Sequence, residues 1–289
     1  MGASDMVIRV IFLSQTLIGV LSNSFLVYNY LLLYFSGIRL RFTDWILQHL
    51  IVANFLTLLC KGVPQTMAAF GLKDFLNDFG CKLIFYLHRV GRGVSLSSTC
   101  FLSVFQAITI SPSGSRWSRL KVKSPTYIAA GVYMSWILAL IVNITFPMYM
   151  TAKLNHRNMT SLKEFEYCSS VRHDKAFDIF SAVLVTSPDV FFMLLMLWSS
   201  SSMVFILCRH KQRLKHIHRS NFSLRSSPES RATKTILLLV SIFVFFYTLS
   251  CLLQINLSLL YNPGSFLVNM ASVVAACFPT VSPFLLINR

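Results

Sequence analysis

Apolar and polar positions along this chain neither alternate nor form stripes. They fall into long runs that are apolar on every face, separated by short clusters of charge. Residues 10–38 carry no charge between Arg9 and Arg39, and residues 124–152 carry none between Lys123 and Lys153. Residues 235–288 are uncharged throughout, enough for two crossings, and Asn262-Pro263-Gly264 supplies the turn that divides them. A helix needs roughly 20 mostly apolar residues to cross a bilayer. By that ruler the pattern predicts seven spans, at 8–35, 42–70, 79–110, 125–150, 177–208, 233–260 and 264–287. Such runs suit helices in lipid, where every backbone polar group must bond within its own segment. A transmembrane barrel would alternate over about ten residues, and no such alternation occurs. The expected fold class is an all-α membrane protein, a seven-transmembrane helix bundle forming one domain over 1–289. The first span begins close to Met1 and outlasts a signal h-region, so it serves as its own insertion signal.

Composition agrees. Charged residues make up 12% and apolar residues 55% of the chain, whereas a soluble domain carries about 25% charge. Disorder is excluded by the apolar content. The net charge of +16, from 26 Lys+Arg against 10 Asp+Glu, would suit a nucleic-acid binder, but this much apolar surface could not stay in water. The excess instead sets orientation. With the amino terminus outside, the inner segments hold 15 Lys+Arg and the outer segments 8, as the positive-inside rule requires. The expected location is the plasma membrane, multi-pass, with an extracellular amino terminus. Asn158-Met159-Thr160 then lies in an outer loop, making Asn158 a glycosylation candidate.

The chain has 7 Cys, and only Cys81 and Cys168 fall in or beside outer segments. They are the one plausible disulfide; Cys60, Cys100, Cys208, Cys251 and Cys277 read as small apolar fillers.

Ionisable groups inside spans are costly and point to function by default. The third span carries His88, Arg89 and Arg92, and the second carries Lys61 at comparable depth; Asp189 lies beside Pro188 in the fifth. His88 and Arg92 are four apart and share a helix face. One reading is a basic cavity for an anionic small ligand, with arginine gripping the oxyanion and Phe and Tyr covering the apolar body. The other is internal: Asp189 neutralises an arginine and Lys61 snorkels to the interface. Both stand at this point. Tyr247, Gln254 and Asn256 on the sixth span, with Gln65 and Thr66 after Pro64, are further candidates for ligand contact or interhelical bonding. The serine run 199–202 reads as helix packing.

Enzyme signatures are absent: there is no H-E-x-x-H, G-x-S-x-G, Walker loop or dinucleotide fingerprint. Neither a cofactor nor a metal site is expected; His210, His216 and His218 lack acidic or Cys neighbours. The last span contains no Lys, which removes a retinal Schiff base. No internal repeat of the transporter kind is evident, although a seven-helix channel or transporter stays open as an alternative.

A family resemblance is carried by named segments. Leu50-Ile51-Val52-Ala53-Asn54 with Lys61-Gly62-Val63-Pro64-Gln65-Thr66-Met67, then Ser103 through Pro112 (SVFQAITISP), resemble the vomeronasal type-1 receptor pattern. So do Arg231-Ala232-Thr233 with Thr235 through Val240, Phe246-Tyr247-Thr248-Leu249-Ser250-Cys251, and Cys277-Phe278-Pro279-Thr280-Val281-Ser282-Pro283-Phe284. The resemblance implies a rhodopsin-like bundle acting as a G-protein-coupled chemosensory receptor. Its partners would be a small pheromone-like molecule, a heterotrimeric G protein of the inhibitory class, and membrane lipid, with no nucleic acid. Bitter-taste-like and odorant-like receptors are the alternatives within the receptor class.

Departures from rhodopsin-like signatures matter. Asn54 stands where most members of that superfamily have Asp, which argues against a sodium site. Phe105-Gln106-Ala107 replaces the Asp/Glu-Arg-Tyr triplet, so the switch cannot be an arginine ionic lock. Phe105, Gln106 and Arg231 are the expected G-protein contacts, since they close the third span and open the sixth. Family members generally continue into an inner tail, whereas this sequence stops at Arg289.

Overall fold

The structure is a computed structural model describing residues 3–38, 40–72, 75–112, 121–144, 150–151, 162–164, 168–171, 175–217, 228–259 and 265–287. In chain order the helices are α1 (Ala3–Phe35), α2 (Phe42–Thr57), a π turn (Leu58–Gly62), α3 (Val63–Ala69), α4 (Asp78–Ile110), α5 (Ser124–Val142), α6 (Lys175–Ile217), α7 (Pro228–Leu259) and α8 (Ser265–Ile287). Among the described residues seven helical spans are long and apolar enough to cross a membrane, with α2, the π turn and α3 forming the second.

Local chemistry sets the helix ends. After α1 the chain reverses at Gly37 (φ 69°), and after α3 at Gly71 (φ 93°). At each, two amides cap the preceding carbonyls: Gly37 N to Tyr34 O and Ile38 N to Leu33 O, Gly71 N to Ala68 O and Leu72 N to Met67 O. This is the Schellman arrangement, which needs a left-handed residue that glycine adopts without a Cβ penalty. At the start of α4 the Asn77 side chain accepts from Gly80 N at 2.8 Å, an N-cap. The π turn ends two residues before Pro64, whose ring would clash with the carbonyl of Cys60, four residues back, in a regular helix; one wide turn at that position relieves it.

The fourth span corrects an expectation. The uncharged run suggested a helix to residue 150, but α5 ends at Val142, and Met150 belongs to a strand. Asn143 turns its amide back to Ala139 O, Ile144 N closes a tight turn on Ile141 O, and Pro147 three residues on disfavours helix. Absence of charge sets where a helix can run, not where it stops.

Beyond α5 lies a three-stranded antiparallel sheet, β1 (Met150–Thr151), β2 (Leu162–Glu164) and β3 (Ser169–Val171), in the order β1-β3-β2. The apolar runs did not foretell it. Its central strand follows Cys168, which is disulfide-bonded to Cys81 at the start of α4 with 6.1 Å between Cα atoms. Both cysteines are fully buried, against Ala68, Phe75, Leu76 and Phe85.

Helix α4 is the axis of the bundle, packing against α2, α5, α6 and α7, while α8 packs on α1 and α7. The core gathers Ile46, Leu47, Leu50, Leu96, Leu102, Val132, Met196, Ile236, Leu239, Phe243 and Phe278. Outward positions such as Phe35, Tyr34 and Phe266 stay exposed, as lipid-facing residues do. Lipid offers no hydrophobic drive between helices, so small polar side chains supply specific ties. Asn54 is tied to two other helices. Its amide donates to Ser282 Oγ at 2.9 Å and it accepts from Ser95 Oγ at 2.7 Å, joining α2, α4 and α8. Ser97 bonds Ser135 at 2.9 Å. Ser103 bonds Ser199 at 2.7 Å, so the serine run does take part in packing at Ser199, whereas Ser201 and Ser202 bond their own helix's carbonyls.

Candidate functional site

A cavity opens between α2, α4, α7 and α8, lined on its polar side by Thr57, His88, Arg92, Ser95 and Ser250 and on its apolar side by Phe243, Phe246, Tyr247 and Phe278, among others. Arg92 lies eleven residues along α4 from the disulfide at Cys81, roughly 16 Å at 1.5 Å per residue. The cavity volume is about 40 Å³, room for a few waters and far below the roughly 300–1,000 Å³ of small-molecule pockets.

The small volume has an identifiable cause. Tyr247 is held across Arg92. Its ring lies beneath the guanidinium, with Cζ 4.6 Å from the ring centroid, and its hydroxyl donates to Asp189 Oδ2 at 2.5 Å. Phe243 stacks on the ring at 5.4 Å and meets Phe278 edge-on at 4.5 Å. Three helices thus converge: α4 supplies the cation, α7 the aromatic ring and α6 the carboxylate.

Arg92 is served by neutral partners. Nη1 donates to Ser250 Oγ at 3.5 Å, Nη2 donates to Cys251 Sγ at 3.4 Å, and the ring faces the charge. The bond to Ser250 is long and that to Cys251 is ordinary for sulfur, and a guanidinium has five N–H donors. Lys61 and Arg89 each lie within electrostatic reach of Arg92, and the Asp189 carboxylate reaches both arginines, so three cations face one acid in a region water does not readily screen.

The other expected residues are placed as follows. Arg89 donates through Nε to Asn143 Oδ1 at 3.0 Å, tying α4 to the end of α5, and it does not line the cavity. Lys61 lies on the π turn, and Asp189 in α6 is bonded to Tyr247. Gln254 and Arg231 belong to α7, but their side chains lie outside the described residues, as does Asn158 altogether. Phe105 packs edge-on against Phe42 at 5.0 Å. Gln106 is 5% exposed and donates to Thr233 Oγ1 at 2.8 Å.

Thr57, Ser95 and Ser250 were not anticipated as cavity residues, and the covering phenylalanines were expected as a type without being assigned to positions. A search for buried charge passes over neutral groups. Helical spacing was the available signal: Ser95 and Ser250 each sit three residues after a candidate, Arg92 and Tyr247.

Seven apolar helical spans among the described residues, a disulfide at one end of the bundle and a mostly apolar cavity holding one arginine deep within it define the class: a seven-helix membrane protein. The model of the vomeronasal organ pheromone receptor family matches residues 6–289, and the chain belongs to that family. It is 56% identical to the human protein "Vomeronasal type-1 receptor 4" over 96% of this chain and 92% of that one. It is 49% identical to human "Vomeronasal type-1 receptor 2" over 96% of this chain and 70% of that one. It is 48% identical to human "Vomeronasal type-1 receptor 3" over the whole of this chain and 93% of that one. The protein is accordingly a multi-pass membrane receptor of a chemosensory family, and the family is not one of enzymes.

Proposed function

We propose that this chain is a single-domain G-protein-coupled chemosensory receptor that takes a small, anionic, pheromone-like molecule into the cavity at Arg92. The observation that carries the ligand class is that, among the described residues, Arg92 is met by Ser250, Cys251 and the Tyr247 ring, while the nearby carboxylate of Asp189 is engaged by the Tyr247 hydroxyl. A half-buried cation whose hydrogen-bond partners are neutral, and which shares the single carboxylate of Asp189 with Arg89, has binding capacity to give to an oxyanion, and the aromatic wall suits an apolar body. Arg89 fits a structural role better, given its bond to Asn143.

The disulfide end is outside and the opposite end, with the basic extension of α6, faces a heterotrimeric G protein of the inhibitory class and anionic lipid, while Gln106 is buried there on Thr233. Asn158 is glycosylated in this reading. A ligand produces output only through a difference in its affinity for two bundle states.

The test is expression with a promiscuous G protein, read by calcium, against matched acidic and neutral odorants. Arg92→Ala should raise the half-maximal concentration for acidic compounds by about tenfold or more, as loss of a charge-assisted bond implies, with neutral compounds little changed. Equal loss for both classes would sink the anion site. A ligand-dependent current without any G protein would make the chain a channel.

A further inference from the structure

Resting on the reading of Arg92 as the anion contact, the geometry points to Asp189 and Tyr247 as a tethered lid that sets which ligands gain access to it. Tyr247 lies against Arg92 and shares the wall of the same small cavity, so it narrows the approach to the in-plane N–H edge that an oxyanion would need. It is fixed there from two sides. Phe243 stacks on the ring, and Asp189, on a different helix, accepts the hydroxyl in a bond of 2.5 Å to a carboxylate oxygen, the strong class of hydrogen bond.

Asp189 therefore acts at a distance from the ligand. It is a positioning residue: by holding Tyr247 over the guanidinium it keeps the cavity at about 40 Å³. A neutral ligand offers Arg92 no more than the ring and hydroxyls already do and displaces the lid only weakly. An anion offers a charge-assisted, bidentate contact and displaces it more readily. The tether thus converts charge on the ligand into a movement of α7 relative to α6, since the broken bond joins those two helices. It also discriminates by negative selection, which widens the gap between wanted and unwanted ligands more than attraction alone.

The test needs no known ligand. Phenylglyoxal, a small neutral reagent that modifies accessible arginine, is applied to the full receptor in membranes, and adducts at Arg92 and Arg89 are followed separately by peptide mass spectrometry. Tyr247→Phe keeps the ring and cuts the tether; Asp189→Asn weakens it from the other side. Each should speed modification of Arg92 by about tenfold, the factor expected from one bond to a charged group. Arg89, tied to Asn143, should be unchanged, and Asp189→Glu should stay close to the parent. Unchanged rates at Arg92 in both variants would overturn the lid, and so would equal acceleration at Arg89 and Arg92, which marks a loosened bundle. Adding 4-phenylbutyrate or the matched 4-phenylbutanol to Tyr247→Phe tests the underlying reading separately. Protection of Arg92 by the acid alone supports both ideas. Equal protection by acid and alcohol, or none by either, removes the anion preference while faster modification still establishes the lid.

Discussion

Gln106 on α4 donates to Thr233 on α7 across 2.8 Å, and both residues are buried, at 5% and 0% exposure. They join the end of α4 opposite the disulfide to the first turns of α7. A neutral amide–hydroxyl bond thus closes α4 on α7 at this end of the bundle. Thr233→Val removes the acceptor while keeping the shape. A net bond of about 1 kcal/mol is a factor of about five in a two-state equilibrium. Ligand-independent signalling should rise by that order, measured as basal second messenger at matched surface expression. Unchanged or reduced basal output would show that the bond does not hold the resting state.

Cys81 and Cys168 should contribute to stability rather than ligand choice. Their bridge spans 87 residues of sequence and anchors β3 to α4. Cys168→Ser should cost about 2–5 kcal/mol, the usual effect of losing a native disulfide, seen as a lower unfolding temperature in detergent and reduced surface expression. The Cys81→Ser, Cys168→Ser double variant should be no worse than either single one.

Asn54 links three helices through Ser95 and Ser282. Asn54→Ala leaves two buried hydroxyls without this partner. Interhelical bonds in membranes average well under 2 kcal/mol, so a loss of about 1 kcal/mol is expected, read from thermal unfolding of the purified protein. Asn54→Leu, which adds bulk as well, should be worse.

Arg89 and Asn143 should prove to be coupled energetically. Arg89→Ala and Asn143→Ala should each destabilise, while the double variant should cost less than their sum by roughly 0.5–3 kcal/mol, the range for residues sharing a bond. Additive effects would show that the bond across α4 and α5 carries no net energy.

The sequence by itself determined the number of spans and their places. A backbone in lipid must bond to itself over some twenty apolar residues, and that demand is written in the spacing of charge, most plainly in the uncharged 235–288. It also singled out Cys81 and Cys168, and the few costly ions in apolar runs. It did not say where α5 stops, because termination depended on Asn143 and a local turn within an uncharged run. Nor could it apportion the arginines. Arg89 and Arg92 are three residues apart on one helix, yet one ends on Asn143, just past α5, and the other over Tyr247 of α7. Only packing decides this, since a side chain's partner is whichever helix lies against its face. For the same reason Asp189, counted along the chain as an arginine's counter-charge, lies within electrostatic reach of both arginines and also holds the Tyr247 hydroxyl.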